Sequence, residues 1–177
     1  MSCAQDKREA IYSSAKPALS FEWAVPAGWV HEEFGSPPLG FSGVTFLEKK
    51  QTPDAATASF SVTAKKAAPV KGVLPTLDAM ADDAAQKSLK LPDARIVKRG
   101  TMKVAGQEAR TIEVAYRGLT KIYTPGSKAV SLRQRIVIIP RGGMFYVIRY
   151  INDEKKFPAL EPVFQRALKT FRFLNPA

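Results

Sequence analysis

Apolar and polar side chains alternate along much of this chain. From Leu19 to Val25 the order Leu-Ser-Phe-Glu-Trp-Ala-Val repeats with a period near two, the pattern of a strand with one buried face. Pro26-Ala27-Gly28-Trp29 ends it: Pro26 fixes φ, Gly28 permits a left-handed turn, and Trp29 can anchor that turn on the core. Glu33 to Gly43 holds three glycines and two prolines and reads as a loop. Val44 to Glu48 and Thr57 to Lys65 read as strands, the second with Ala58, Phe60, Val62 and Ala64 on one side. Ile96 to Val104 and Gln107 to Tyr116 form a hairpin about Ala105-Gly106. Leu119 to Lys128 reads as a strand end and a loop at Pro125-Gly126. Leu132 to Ile139 and Met144 to Tyr150 form a second hairpin about Pro140-Arg141-Gly142-Gly143.

Two segments carry helical spacing instead. In Thr76 to Leu89 the smaller and apolar residues Leu77, Met80 or Ala81, Ala84 and Ser88 share a face. Thr76 is an N-cap candidate, Asp78 suits the positive end of the helix dipole, and Leu91-Pro92 stops the helix. In Asp153 to Lys169 the face is Phe157, Leu160, Phe164 and Leu168; Pro162 suits a first turn, so regular helix is expected from about Glu161. Thr170 to Leu174 is a short apolar return to the sheet. Strands mostly follow strands through hairpins, so the prediction is an α+β fold with about six or seven mostly antiparallel strands covered by helices. Residues 1–17 are expected to be a flexible polar tail and residues 18–177 a single domain, with no internal repeat.

Composition narrows the class. A chain of 177 residues, 45% hydrophobic and with one cysteine, is neither disordered nor a disulfide scaffold. No run approaches the roughly 18 apolar residues of a membrane span. The net charge is +11, and it is uneven: residues 101–177 carry 14 basic and 5 acidic side chains. Such a field favours anionic partners such as nucleic acid, anionic lipid or a cell-wall polymer, and it also serves solubility. The basic residues are spread singly or in pairs, as on solvated faces, with no dense run. The strongest cluster interleaves Arg117, Arg133, Arg135 and Arg149 with Tyr116, Tyr146 and Tyr150. Arg and Tyr so mixed can bind phosphates and stack bases; equally, the tyrosines can pack while the arginine stems reach water. These four arginines are the candidate anion or partner surface.

Met1-Ser2-Cys3-Ala4-Gln5 supports two readings. In a bacterial lipoprotein the mature chain begins with a lipidated cysteine after a small residue and before a polar tether. Ser2, Cys3 and the stretch Ala4 to Lys16 suit that arrangement, which requires an apolar segment upstream. Cys3 is then a lipidation site and the protein is periplasmic or in the cell envelope. If Met1 is the native start, Cys3 is an ordinary terminal cysteine of a cytoplasmic protein.

Catalytic chemistry finds little support. His31 is the sole histidine, and no Gly-x-Ser-x-Gly elbow accompanies it. One histidine and one terminal cysteine do not make a zinc set. Neither phosphate-loop pattern occurs, and Gly142-Gly143 is explained by its hairpin. No catalytic, metal-binding or cofactor-binding residue is assigned, and no cofactor is expected.

The string Phe21-Glu22-Trp23-Ala24-Val25-Pro26-Ala27-Gly28-Trp29 resembles the opening of PsbP-like proteins, where a strand runs into a Val-Pro-x-Gly-Trp turn. The order that follows is similar to that family's. A mid-chain helix at Leu77 to Leu89 precedes a hairpin through Val104-Ala105-Gly106-Gln107-Glu108-Ala109. A further hairpin carries Phe145-Tyr146-Val147-Ile148, and the chain closes with Phe157 through Phe164 to Thr170-Phe171-Arg172-Phe173. The resemblance spans about residues 19–174. It implies a central antiparallel sheet sandwiched between helices, as in lumenal photosystem proteins, a Ran-binding transport factor and some bacterial secretion-effector chaperones. It also implies a non-enzymatic binding or assembly protein with a protein partner. The alternative is an anion-binding module using the basic C-terminal half.

Overall fold

The structure is a computed structural model and describes residues 9–14, 19–36, 40–49, 56–69, 72–120 and 127–174. Its elements begin with β1 (Glu9–Ser13), β2 (Phe21–Pro26), β3 (Val30–Ser36), β4 (Phe41–Leu47), β5 (Ser59–Lys66) and α1 (Leu77–Ser88). They continue with β6 (Arg95–Val104), β7 (Gln107–Leu119), β8 (Ala129–Arg141), β9 (Met144–Asp153), α2 (Phe157–Thr170) and β10 (Arg172–Phe173). Seven strands make one antiparallel sheet in the order β3-β4-β5-β9-β8-β7-β6, and β1-β2-β10 make a second, smaller one. Helix α1 lies on one face of the large sheet, over β7 and β8. Helix α2 and the small sheet cover the other face. The expected sheet between helices is therefore present, with a second sheet added to one layer.

Two apolar clusters hold the layers together. The larger joins Trp23, Phe46, Phe60, Tyr150, Phe157 and Phe164 across the α2 side. Trp23 meets Phe46 edge to face at 5.6 Å, and its indole N–H donates to the Ala167 carbonyl of α2 at 2.6 Å. The Tyr150 hydroxyl donates to the Phe157 carbonyl at 2.8 Å while the two rings stack at 4.4 Å. The smaller cluster packs Ala81 and Ala85 of α1 on Ile112, Ile136 and Ile138. Period-two alternation separates the clusters: Ile136 and Ile138 face α1, whereas Val137 and Ile139 face α2.

Several local expectations hold for the reasons given by their residues. The Thr76 hydroxyl accepts from the Ala79 amide at 3.1 Å and starts α1. Both two-residue hairpin tips have positive φ, Ala105 and Gly106 at 49° and 77°, Gly142 and Gly143 at 54° and 74°. Trp29 packs on Phe60 at 4.6 Å.

Others are corrected. The polar tail expected over residues 1–17 contains β1, antiparallel to β2, with Tyr12 buried against Phe21 and Phe46. The loop expected from Glu33 to Gly43 contains the end of β3 and the start of β4. The Phe34 ring lies across Gly43, where a Cβ would come within 2.3 Å of the ring tip, so a larger residue there would have to turn that exposed ring aside. Helix α2 begins at Phe157, four residues before Glu161, with Pro158 in its first turn and Pro162 inside it. Burial of Phe157 against Tyr150 extends the helix backward; the carbonyl that Pro162 leaves unbonded belongs to Pro158, which is exposed. The closing strand β10 pairs with β2 in the small sheet, not with the large one.

Candidate functional site

The first cleft lies between α2 and strands β6, β7 and β8 and encloses about 340 Å³. Its walls bring together Lys98, Thr101, Glu113, Arg135, Glu161 and Gln165. Antiparallel pairing sets Glu113 of β7 directly opposite Arg135 of β8. Arg133, two residues away, shares that face and donates from Nε to Glu113 Oε1 at 2.5 Å. Arg135 donates to the other Glu113 oxygen and, through its second nitrogen, to Glu161 of α2. The Glu113 side chain is only 5% exposed and that of Arg135 14%. Both guanidinium groups also approach the Phe157 ring, at 5.3 and 5.9 Å.

Burial alone would raise the Glu113 pKa, but hydrogen bonds from Arg135 and Arg133 outweigh it and hold the carboxyl below its ordinary value. Arg135 is moved the other way: burial opposes its charge, while Glu113 and Glu161 strengthen its hold on the proton. An acid held ionised between two arginines is poorly suited to give up a proton near neutrality. The cluster instead bolts α2 to the sheet.

A second pocket, of about 230 Å³, opens on the opposite face beside α1. Arg149 of β9 and Gln134 of β8 line it, with Met80, Leu91, Ile136 and Val147 among its apolar walls. Burial pulls the Arg149 pKa below its ordinary value, and the Tyr116 phenol partly opposes that.

The four arginines expected as one surface are thus divided. Arg133 and Arg135 share the α2 face and are both committed to Glu113. Arg117 lies further along β7, exposed, with Asp93 at 4.0 Å. Arg149 is across the sheet. The tyrosines divide as well: Tyr146 and Tyr150 enter the larger cluster, whereas Tyr116 packs against the cluster beside α1. His31 sits exposed on β3, its ring edge to face with Tyr12 at 5.2 Å. Among the described residues no three His, Cys, Asp or Glu side chains are grouped to hold a metal. No helix there is long and apolar enough to cross a membrane. Cys3 lies outside the described residues.

No family model matches the sequence, and no curated protein matches it. Solved structures do match. Cyanobacterial PsbP from Synechocystis aligns over 98% of this chain and 96% of its own, with a TM-score of 0.58 and 14% identity. The chain has the PsbP and Mog1 fold. The Ran-binding protein Mog1p of Saccharomyces cerevisiae aligns over 96% of this chain and 97% of its own, at a TM-score of 0.54 and 10% identity. LpqN of Mycobacterium tuberculosis, involved in cell envelope biogenesis, covers 94% of this chain and 91% of its own, at 0.55 and 14%. At these identities the likeness concerns architecture; the side chains of the two clefts are this chain's own.

Proposed function

We propose that this protein is a non-catalytic binding or assembly-assisting protein whose partner is another protein. The observation that carries the reading is the cleft beneath α2, where both carboxylates, Glu113 and Glu161, are engaged by arginines. A cleft so neutralised supplies rigidity and shape in place of a free acid, base or nucleophile. The fold is consistent with this, since Mog1p binds Ran, although fold alone does not choose a function. We place the protein in the cell envelope, anchored through a lipid on Cys3; Ser2-Cys3 with its polar tether and the envelope role of LpqN support that.

The test begins with mass spectrometry of the protein recovered from native membranes and from the soluble fraction. Diacylglycerol on Cys3 is the expected result, and an unmodified soluble chain beginning at Met1 would remove the envelope reading. Crosslinking in the same fraction, followed by reconstitution of the captured protein with the purified chain, should give a stoichiometric complex. If the purified chain instead binds oligonucleotides with a steep salt dependence, the basic half is an anion surface and the protein-partner reading fails.

A further inference from the structure

Arg149 is unlike the other enclosed arginines. Arg110, Arg133 and Arg135 each have a carboxylate within hydrogen-bond reach. Arg149 makes no hydrogen bond or salt bridge with any described residue, although strands β5 and β8 flank it on both sides. Its neighbour Gln134, on the adjacent strand and the same face, is buried and equally without a hydrogen-bond partner among the described residues. A guanidinium and a carboxamide, both partly withdrawn from bulk water and neither hydrogen-bonded to another described residue, thus line one pocket. Leaving such groups unpaired is costly, and an apolar residue there would complete the sheet face at no such cost. Among the described residues no fully buried side-chain polar atom is orphaned, so these donors remain reachable through the pocket.

The remaining lining defines what fits. Lys65 stands at the rim, and Lys87 is joined there to Asp83 at 2.5 Å, so three cations face one exposed and already paired carboxylate. The Ser88 hydroxyl donates to the Ala84 carbonyl. Met80, Ala84, Leu91, Ile136, Ile138 and Val147 make the rest of the wall apolar. We propose that this pocket binds a small organic carboxylate with a short apolar body, its carboxylate on the Arg149 fork with Gln134 as second donor and its body against α1. At about 30 Å³ for a water-sized group, the pocket of about 230 Å³ takes roughly seven or eight heavy atoms, as in hexanoate, with benzoate one atom larger. The inference goes beyond the partner reading and stands or falls separately from it.

Titration of the full chain with hexanoate, hexanol, benzoate and inorganic phosphate, followed by amide chemical shifts and thermal melting, tests it. Hexanoate and benzoate should give saturable shifts confined to α1, β8 and β9 and should raise the melting temperature at about 10 mM. Hexanol and phosphate should bind about tenfold more weakly, the first lacking the charge and the second the apolar body. Arg149→Met should raise the melting temperature of the free protein and abolish the rise given by hexanoate. Gln134→Leu should keep the fold and weaken hexanoate several-fold, which preserves the test if the first variant misfolds. Absence of saturable shifts with either acid would overturn the proposal. So would hexanol or phosphate binding as tightly as hexanoate, or an Arg149→Met protein that binds hexanoate unchanged.

Discussion

The two faces of the large sheet treat the same residue type in opposite ways. On the α2 face, Arg133 and Arg135 are fixed by Glu113, and Arg135 continues to Glu161. On the α1 face, Arg149 is flanked by strands and forms no salt bridge with any described acid; Asp83 of the same pocket is paired with Lys87. The helices differ in step. Helix α2 is tied down by the Trp23 indole on the Ala167 carbonyl, by the Thr170 hydroxyl accepting from the Ala24 amide at 3.0 Å, and by the Arg135–Glu161 bridge. Helix α1 is tied at its outer side by Arg110–Asp78 and Arg99–Asp82, whose acids are 71% and 64% exposed. On one face the paired arginines fix the helix over its cleft. The other keeps an unsatisfied charge under a helix held partly by surface ion pairs, which is where a ligand can be accommodated with least disruption.

The sharpest way to break this comparison is to remove the acid that closes the α2 face. Glu113→Leu leaves two guanidinium groups without their shared counter-ion and should cost about 3 kcal/mol or more in urea unfolding. The double variant Glu113→Leu/Arg135→Met should recover part of that loss, because a well-packed apolar pair can replace an ion pair. Equal losses in the single and double variants would show that the cluster acts through packing alone.

Proton linkage gives the same cluster a pH signature. The folded Glu113 pKa lies below the unfolded value, so its contribution is fully present above the unfolded glutamate value of about 4.3. It is lost as pH falls through the lower folded value. The stability gap between the native chain and Glu113→Gln should therefore be constant near neutrality and close in acid. A gap that persists unchanged well below pH 4 would mean that the carboxylate charge is not what the arginines recognise.

On the opposite face the sign reverses. Arg149→Met should stabilise the free protein by about 1 kcal/mol, since it removes a desolvated charge that no described residue neutralises. Destabilisation of the size expected at Glu113 would make the two faces alike.

The contrast between the faces is only partly legible in the sequence. The strands around Phe60 and Ile136, the hairpin tips at Ala105-Gly106 and Gly142-Gly143, and α1 from its Thr76 cap follow from local rules of alternation and turn chemistry. Glu113 does not. It sits between Ile112 and Val114 and looks like the outward position of a strand; only its register opposite Arg135 buries it. That register depends on how β7 and β8 are brought together through residues outside both, which local patterning does not encode. Arg133 and Arg135 are readable as one face by their spacing, yet Arg149 joins or leaves that face according to the same long-range register. Gly43 misleads in the other direction. It reads as loop until Phe34 is placed across it by pairing of β3 with β4.

The smallest effect probes the anchoring of α1. Thr76→Ala removes the acceptor of the Ala79 amide and should cost about 1 kcal/mol, with the loss concentrated in α1. High salt should act on the same element, because Arg99–Asp82 is exposed on both sides and is screened within a Debye length of about 3 Å at 1 M. Hydrogen exchange read amide by amide should show α1 opening faster in both cases. Helix α2, held by the buried Trp23 contact and the part-buried Thr170 hydrogen bond, should keep its protection. Addition of hexanoate should slow α1 exchange again, since a ligand that binds only the closed pocket opposes helix opening. Equal acceleration of both helices would mean that they open as one cooperative unit, and the difference between the faces would then lie in charge alone.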